Sequence, residues 1–268
     1  MRIWIMSDIH VELTRGWDLP GPGERPDYDV LVVAGDLMPR MERGVAWLRE
    51  RVADRPVIYI AGNHEAYGAD IDRTVQKARA AAEGSNVHVL ENETFEIGGV
   101  TFACATLWTD FDLYGDPQRA MLAAGEMMND YKKIRINRYA ERFRPQHALA
   151  RHNASRAFLE ATMRHPRNGP LVVVTHHAPI GPRTQPIEPT REDLLYAAYG
   201  SDLTVLMSPG PGALRPADVW VHGHTHEWFD AQIGATRVVS NAKGYGPWPP
   251  LFRTWDNPEF DQNFVVTV

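Results

Sequence analysis

Short apolar runs alternate along this chain with stretches of helical periodicity. Residues 2–6 and 29–34 read as buried strands, the second rich in β-branched side chains. Between them, Pro20-Gly21-Pro22-Gly23-Glu24-Arg25-Pro26 marks residues 18–28 as loop. Residues 41–54 place Val45, Leu48 and Val52 on one face and predict a helix. Pro56 then opens a strand at 57–60, and the alanine-rich stretch 69–83 predicts a helix closed by Gly84. Short strands follow at 87–90, 94–97 and 100–106, with Gly98-Gly99 as the hairpin turn between the last two. A helix is expected over 146–165, stopping before Pro166, and a very apolar strand over 171–174. After a proline-rich loop at 178–190 come a helix over 191–207 and strands near 218–221, 228–233, 236–240 and 264–268.

Strands interleaved with helices predict an α/β layered fold. No repeat, low-complexity tract or linker divides the chain, so residues 1–268 are expected to form a single domain. One stretch breaks the alternation. Residues 108–145 hold Trp108, Phe111, Tyr114, Tyr131, Tyr139 and Phe143 together with Lys132, Lys133, Arg135, Arg138, Arg142 and Arg144. This insertion is basic and aromatic within an acidic chain. It reads either as a solvated charged face over packed aromatics or as a cap over a site.

Composition narrows the class. A hydrophobic share of 44% over 268 residues excludes a mostly disordered chain. The net charge of −6 argues against a general nucleic-acid-coating role, which needs a basic face. Cys104 is the single cysteine, so neither an intramolecular disulfide nor a cysteine-based zinc site can form. Its apolar neighbours make it a core thiol. No apolar run reaches the ~18–20 residues of a membrane span. The apolar N-terminus ends after six residues, too short for a secretory signal. A cytoplasmic location is the expectation.

The candidate chemistry sits directly after strands. Asp8 and His10 follow the first, Asp36 the second, Asn63 and His64 the third. His176 and His177 follow the strand at 171–174, and His222, His224 and His226 surround Gly223 after the strand at 218–221. In α/β sheets, ligand sites form beyond the carboxyl ends of strands. Imidazole, carboxylate and amide oxygen together point to a metal. At least four histidines, two aspartates and an asparagine exceed what one tetrahedral zinc takes. They suffice for two ions, the arrangement that clamps in-line displacement at phosphorus. Gly35, Gly62 and Gly223 precede ligands, where a chain leaving a strand must turn sharply.

The blocks Asp8-Ile9-His10, Gly35-Asp36, Gly62-Asn63-His64-Glu65, Thr175-His176 and Gly223-His224-Thr225-His226 stand in the order of the calcineurin-like metallophosphoesterases, which the chain resembles over roughly residues 1–240. The resemblance implies a four-layer α/β/β/α sandwich. It implies two transition-metal ions, with manganese expected first and iron, zinc, nickel or cobalt also fitting such ligands. Asp8, His10 and His226 would hold one ion, Asn63, His176 and His224 the other, and Asp36 would bridge them. A bridging hydroxide would attack phosphorus, and His64 would contact the phosphate and protonate the leaving oxygen. The substrate is expected to be a small phosphodiester or phosphomonoester, without a membrane or nucleic-acid partner. A nuclease of the same superfamily and a non-catalytic scaffold on the same fold are the alternatives.

Neighbouring residues carry their own expectations. Alternation along an extended segment lets only one of His176 and His177 face the metals, and the family pattern selects His176. His222 is expected to play a supporting polar role, and Glu65 is a candidate to hold the His64 tautomer. His88, His147, His152 and His165 read as surface or locally bonded. As a cap, the insertion would offer Asn129-Asp130-Tyr131-Lys132-Lys133 to a phosphate or nucleotide. Tyr245-Gly246-Pro247-Trp248-Pro249-Pro250 reads as a rigid brace for the sheet rather than a cleft lining.

Overall fold

A computed structural model describes residues 1–14, 17–182, 189–210, 214–247 and 254–268. In the first sheet, β1 (Arg2–Met6), β2 (Val30–Val33), β3 (Val57–Tyr59) and β4 (Val87–Val89) run parallel in sequence order. The second sheet contains β5 (Glu93–Ile97), β6 (Val100–Ala105), β9 (Leu171–Thr175), β10 (Val219–His222), β11 (Trp228–Ile233) and β12 (Thr236–Asn241), in the order β11-β12-β10-β9-β6-β5. Its central strands β6, β9, β10 and β12 are parallel, and hairpins add β5 and β11 at the edges. A two-stranded ribbon, β7 (Arg135–Ile136) with β8 (Glu141–Arg142), stands apart. The C-terminal β13 (Val265–Thr267) closes the first sheet antiparallel to β1.

Period-two alternation builds the layers. Ile3, Ile5, Val30 and Val32 point from the first sheet into one core, where they meet Phe102, Val172, Val174, Val219 and Val221 of the second. Cys104 lies in this inter-sheet core, and burial pushes its thiol up, as a core role requires. Trp4, Met6, Leu31 and Val33 face the other way, onto Val45 and Leu48 of α1 (Met41–Arg51) and Ala78 of α2 (Ile71–Ala82). On the far side, Leu171, Val173 and Trp220 pack against Leu159 and Met163 of α5 (Pro145–Arg164). Helix, sheet, sheet and helix therefore stack in four layers.

One region differs from the sequence reading. The stretch 191–207 is not one helix. It is α6 (Arg191–Tyr196), followed by extended chain and a 3-10 turn at Thr204–Met207. The break comes where the chain straightens to bridge Ala178 to Gly200. Ala178 donates to Tyr199 O (3.1 Å) and Ser201 donates back to Ala178 O (3.0 Å). A Cβ at Gly200 would meet Ala178 O at 2.8 Å, so the bridge has room only for a glycine there.

The insertion folds into α3 (Pro117–Met127), α4 (Asp130–Lys133) and the β7–β8 ribbon. Trp108, Phe111, Tyr131 and Phe143 are buried with Leu194 and Ala197 of the α6 region. Arg138, Arg142, Arg144, Lys132 and Lys133 are exposed. Its aromatics are thus a satellite core and its cations a solvated face.

Candidate metal centre

The C-terminal ends of β1, β2, β3, β9 and β10 bring the five sequence blocks to one edge. Asp8, His10, His176 and His224 are buried there, as are Asp36, Asn63 and His64. Five of these residues take left-handed backbone: Asp8 (φ 53°), His10 (48°), Asp36 (55°), His224 (69°) and His226 (53°). Each such residue costs on the order of 1–3 kcal/mol and persists only where its surroundings hold it. Asp8 N donates to Gly35 O and His10 N to Asp36 O, both at 3.0 Å, while His224 N donates to the Asp8 carboxylate at 3.0 Å. The crossing of the two chains also explains the glycines. Gly35 (φ +87°) makes the expected turn, whereas Gly62 and Gly223 are there for room: a Cβ would land on the carboxylate of Asp36 or Asp8 respectively.

Glu65 does not hold His64. Its buried carboxylate turns the other way and accepts from Asp36 N (3.0 Å), Leu37 N (2.8 Å), Gly62 N (2.7 Å) and Tyr59 Oη (2.8 Å). It fastens the turn after β2 to the turn after β3. Glu65→Ala would leave four buried donors unpaired, at about 1–3 kcal/mol each. The expected result is a loss of about 4 kcal/mol or more, read as a fall in Tm of roughly 10 °C. An unchanged Tm would show that the brace is dispensable.

Within the centre, donor atoms converge in two groups. His10 Nε2 lies 3.2 Å from His226 Nε2, and His226 Nε2 lies 3.4 Å from Asp8 Oδ1. His176 Nε2 lies 3.2 Å from His224 Nδ1 and 3.0 Å from Asn63 Oδ1. Asp36 sits between the groups, with Oδ1 3.5 Å from His176 Nε2 and Oδ2 3.7 Å from His10 Nε2. The ligand atoms of Asp8, His10 and His226 all lie within 4.8 Å of one another, as do those of Asp36, His176 and His224. His177 is in neither group of converging donor atoms: its ring packs between His224 (centroids 4.2 Å) and Trp108 (4.9 Å), and its Nδ1 lies 3.2 Å from Thr106 O. His222 Nδ1 meets Gly223 O (3.1 Å), and burial lowers its pKa to about 4.

Outer partners fix which atoms present lone pairs. His176 Nδ1 faces Ala34 O at 2.9 Å. A carbonyl only accepts, so the neutral ring carries its proton on Nδ1 and offers an Nε2 lone pair. His226 Nδ1 likewise meets the Asp256 carboxylate at 2.9 Å. Asn63 Nδ2 donates to Asp130 Oδ1 (2.8 Å), which turns Asn63 Oδ1 toward His176 Nε2. In that tautomer two acceptors face each other at 3.0 Å, a repulsive contact that either a proton or a metal cation between them relieves. Burial, with Glu65 and Asp8 adding to it, holds Asp36 well above the ordinary carboxylate range. Burial lowers His226, but Asp256 and Asp8 outweigh it and bring it to about 9. This excess of lone pairs and buried negative charge fits metal cations.

His64 stands beside the groups. Its Nδ1 lies 3.2 Å from Glu12 Oε1 and its Nε2 3.0 Å from Tyr245 Oη, and its ring stacks on Tyr67 (centroids 4.1 Å apart). Glu12 also approaches His10 Nδ1 at 3.5 Å. Burial alone would raise Glu12, but the two histidines bring it down to about 2.

A cleft of about 610 Å³ opens over the centre. Asp36, Asn63, His64, His224 and His226 form its floor. Met127, Met128, Asn129 and Asp130 of the insertion line one wall, and Glu192, Leu195, Tyr196 and Tyr199 another. The insertion therefore does border the site, but not with its cations. Lys132 Nζ donates to Met127 O, and Lys133 Nζ lies over the Tyr67 ring. Tyr245 lines the cleft instead of bracing the sheet. Trp248, Pro249 and Pro250 lie outside the described residues, as do residues 183–188 of the proline-rich loop at 178–190.

The calcineurin-like phosphoesterase family matches residues 1–228. The chain belongs to that family. An uncharacterised protein of Acanthamoeba polyphaga mimivirus is 21% identical over 291 residues, covering 97% of both chains. Among solved structures, the phosphopantetheinyl hydrolase PptH of Mycobacterium tuberculosis superposes with a TM-score of 0.59 at 18% identity, over 91% of this chain and 89% of that one. At that identity the likeness is one of fold. Family and centre together make this calcineurin-like protein a metal-dependent phosphoester hydrolase in the general sense.

The sequence blocks do not mark every residue at the centre. Glu12 follows His10 by two positions, and that nearness to the first block is the one local signal for it. Tyr67 lies three residues past His64, whereas Asp130, Tyr245 and Asp256 reach the centre through space from distant segments, and no ligand spacing announces them. His152 is likewise not at the surface but fully buried, with Nδ1 3.4 Å from Trp108 O.

Proposed function

We propose that this protein hydrolyses a small phosphoester at two metal ions. Asp8, His10 and His226 would hold one, Asn63, His176 and His224 the other, and Asp36 would serve both. The observation that carries this reading is Asp36 with one carboxylate oxygen toward each donor group. Two bound ions would make water a nucleophile near neutral pH and offset charge on the phosphoryl oxygens. The chain's own residues supply the rest. Glu12 and Tyr67 hold the His64 imidazole at the cleft floor. Tyr245 Oη and His64 Nε2, 3.0 Å apart, are polar groups available to a phosphoryl or leaving-group oxygen.

The upper cleft narrows the substrate. Met127, Met128, Leu195, Tyr196 and Tyr199 present apolar and aromatic surface, and Glu192 and Asp130 add negative charge. This lining suits an alcohol portion that is apolar or aromatic and not anionic, rather than a nucleotide carrying further phosphates. The insertion's cations, which suggested a nucleotide, face elsewhere.

A paired assay tests the proposal. The protein is stripped, reloaded with Mn²⁺, and its metal counted alongside hydrolysis of bis(p-nitrophenyl) phosphate and p-nitrophenyl phosphate. About two ions per chain with turnover of at least one ester is expected. An aryl phosphate bearing a para carboxylate should turn over more slowly than its uncharged counterpart. Two bound ions without turnover of any of these esters would overturn the catalytic reading. Full turnover with one ion would overturn the two-ion reading, and a preference for the carboxylate would overturn the substrate class.

A further inference from the structure

We infer that Asp130, delivered by the insertion, is a positioning residue for Asn63 and thereby sets the affinity of one of the two proposed metal sites. The inference rests on the two-ion reading above. An asparagine side chain has two nearly isosteric ends, and only its oxygen can ligate a metal. The end that faces the centre is decided by what the other end meets. Asp130 Oδ1 lies 2.8 Å from Asn63 Nδ2 and accepts from it. The same oxygen accepts from Tyr67 Oη at 2.6 Å, and Tyr67 Oη is itself 3.3 Å from Asn63 Nδ2. A carboxylate has no proton to give, so it accepts only the NH₂ end. The flipped amide would set Asn63 Oδ1 against Asp130 Oδ1, oxygen to oxygen, inside a buried pocket. That arrangement is disfavoured by both charge and lost hydrogen bonding.

Asp130 is built for such a role. It is 1% exposed, so solvent screens it little. It opens α4, with Asn129 and Met128 before it on the cleft wall. Ile134 N donates to Asp130 O (3.0 Å), and Gly68 N donates to Lys133 O (3.2 Å), which ties the short helix to the segment after Asn63. Buried Tyr131 and Ile134 anchor it in the insertion's aromatic core. The packing of that core thus holds the carboxylate on the amide. On this account the insertion does more than line the cleft: it completes the metal centre through one hydrogen bond. An outer partner of a metal ligand is typically worth about 10–100-fold in metal affinity.

The test is a double-mutant cycle on metal binding, read by titrating stripped protein with Mn²⁺ and Zn²⁺ and counting ions at saturation. Asp130→Ala should leave one ion in place and weaken the other by ~10–100-fold. Asp130→Asn retains an acceptor oxygen and should recover most of that loss. The deciding background is Asn63→Asp, whose carboxylate has no wrong end. There Asp130→Ala should cost less than about twofold, or improve binding by removing a like charge. Thermal melting of each stripped variant controls for folding. An equal loss of affinity from Asp130→Ala in both backgrounds would reduce Asp130 to a packing role and overturn the inference. So would unchanged affinity in the Asn63 background. If the unsubstituted protein binds no second ion, the two-ion reading itself fails, and that outcome is visible before any variant is made.

Discussion

Asp36→Ala should abolish metal binding and activity together while leaving the stripped protein at least as stable as the unsubstituted one. The two halves of this expectation come from the same carboxylate. Asp36 is 2% exposed and faces Asp8 and Glu65, and burial holds its carboxyl far above the ordinary range. A group whose folded pKa is raised opposes folding at pH 7, where the unfolded chain prefers it ionised. Removing it relieves that penalty. One hydrogen bond is lost in exchange, the donation of His64 N to Asp36 Oδ1 at 2.8 Å. With metal, the sign reverses. Both donor groups lose a shared anion: Asn63, His176 and His224 are left with no charged ligand, and His10 and His226 with Asp8 alone. Several kcal/mol of transition-state stabilisation go with the ions, on the order of 10³-fold or more in rate. Metal counting, melting of stripped protein and turnover, all on one preparation, decide the matter. Two ions retained per chain would refute the shared-ligand role. A large drop in the stripped protein's Tm would recast Asp36 as structural.

Much of this architecture can be read from periodicity because each strand serves two faces. Ile3 and Ile5 against Trp4 and Met6, and Val172 and Val174 against Leu171 and Val173, are all apolar, which marks strands covered on both sides. The ligand blocks are legible for a related reason. They lie within a few residues of strand ends, so local order already fixes them at one edge. What stays hidden is set by contacts between distant segments. The helix expected over 191–207 ends at Tyr196, and the chain then bridges through Gly200 to Ala178 in the loop after β9. Glu65 adjoins His64 in sequence, yet its carboxylate is claimed by three backbone N–H groups and Tyr59. The shell around the proposed ligands, Asp130 on Asn63 and Asp256 on His226, arrives from distant segments that carry no ligand motif.

His64→Ala should separate esters by their leaving groups. Two bound ions can stabilise the phosphoryl oxygens whatever the alcohol, but an alkoxide leaving at neutral pH needs a proton as the bond to phosphorus breaks. His64 is placed to give one. It lies 4.0 Å from Asp36 Oδ2, on the cleft floor, with Glu12 on Nδ1 and Tyr245 on Nε2. Glu12 holds the ring so that Nε2, not Nδ1, is the nitrogen toward the cleft. Loss of the imidazole is expected to slow esters of simple alcohols by ~10²–10⁴-fold and nitrophenyl esters far less, because nitrophenolate leaves without a proton. An equal loss on both would make His64 a phosphate-binding group instead. The metal count carries independent weight. His10, Asp36 and His64 form a third set of ligand atoms within 4.8 Å of one another, so geometry alone would also let His64 ligate. Its outer contacts argue otherwise: Nδ1 meets the Glu12 carboxylate at 3.2 Å and Nε2 meets Tyr245 Oη at 3.0 Å, on the side of the cleft. His64→Ala should therefore retain about two ions per chain. A fall to one ion, with activity lost on every ester alike, would move His64 from proton donor to ligand.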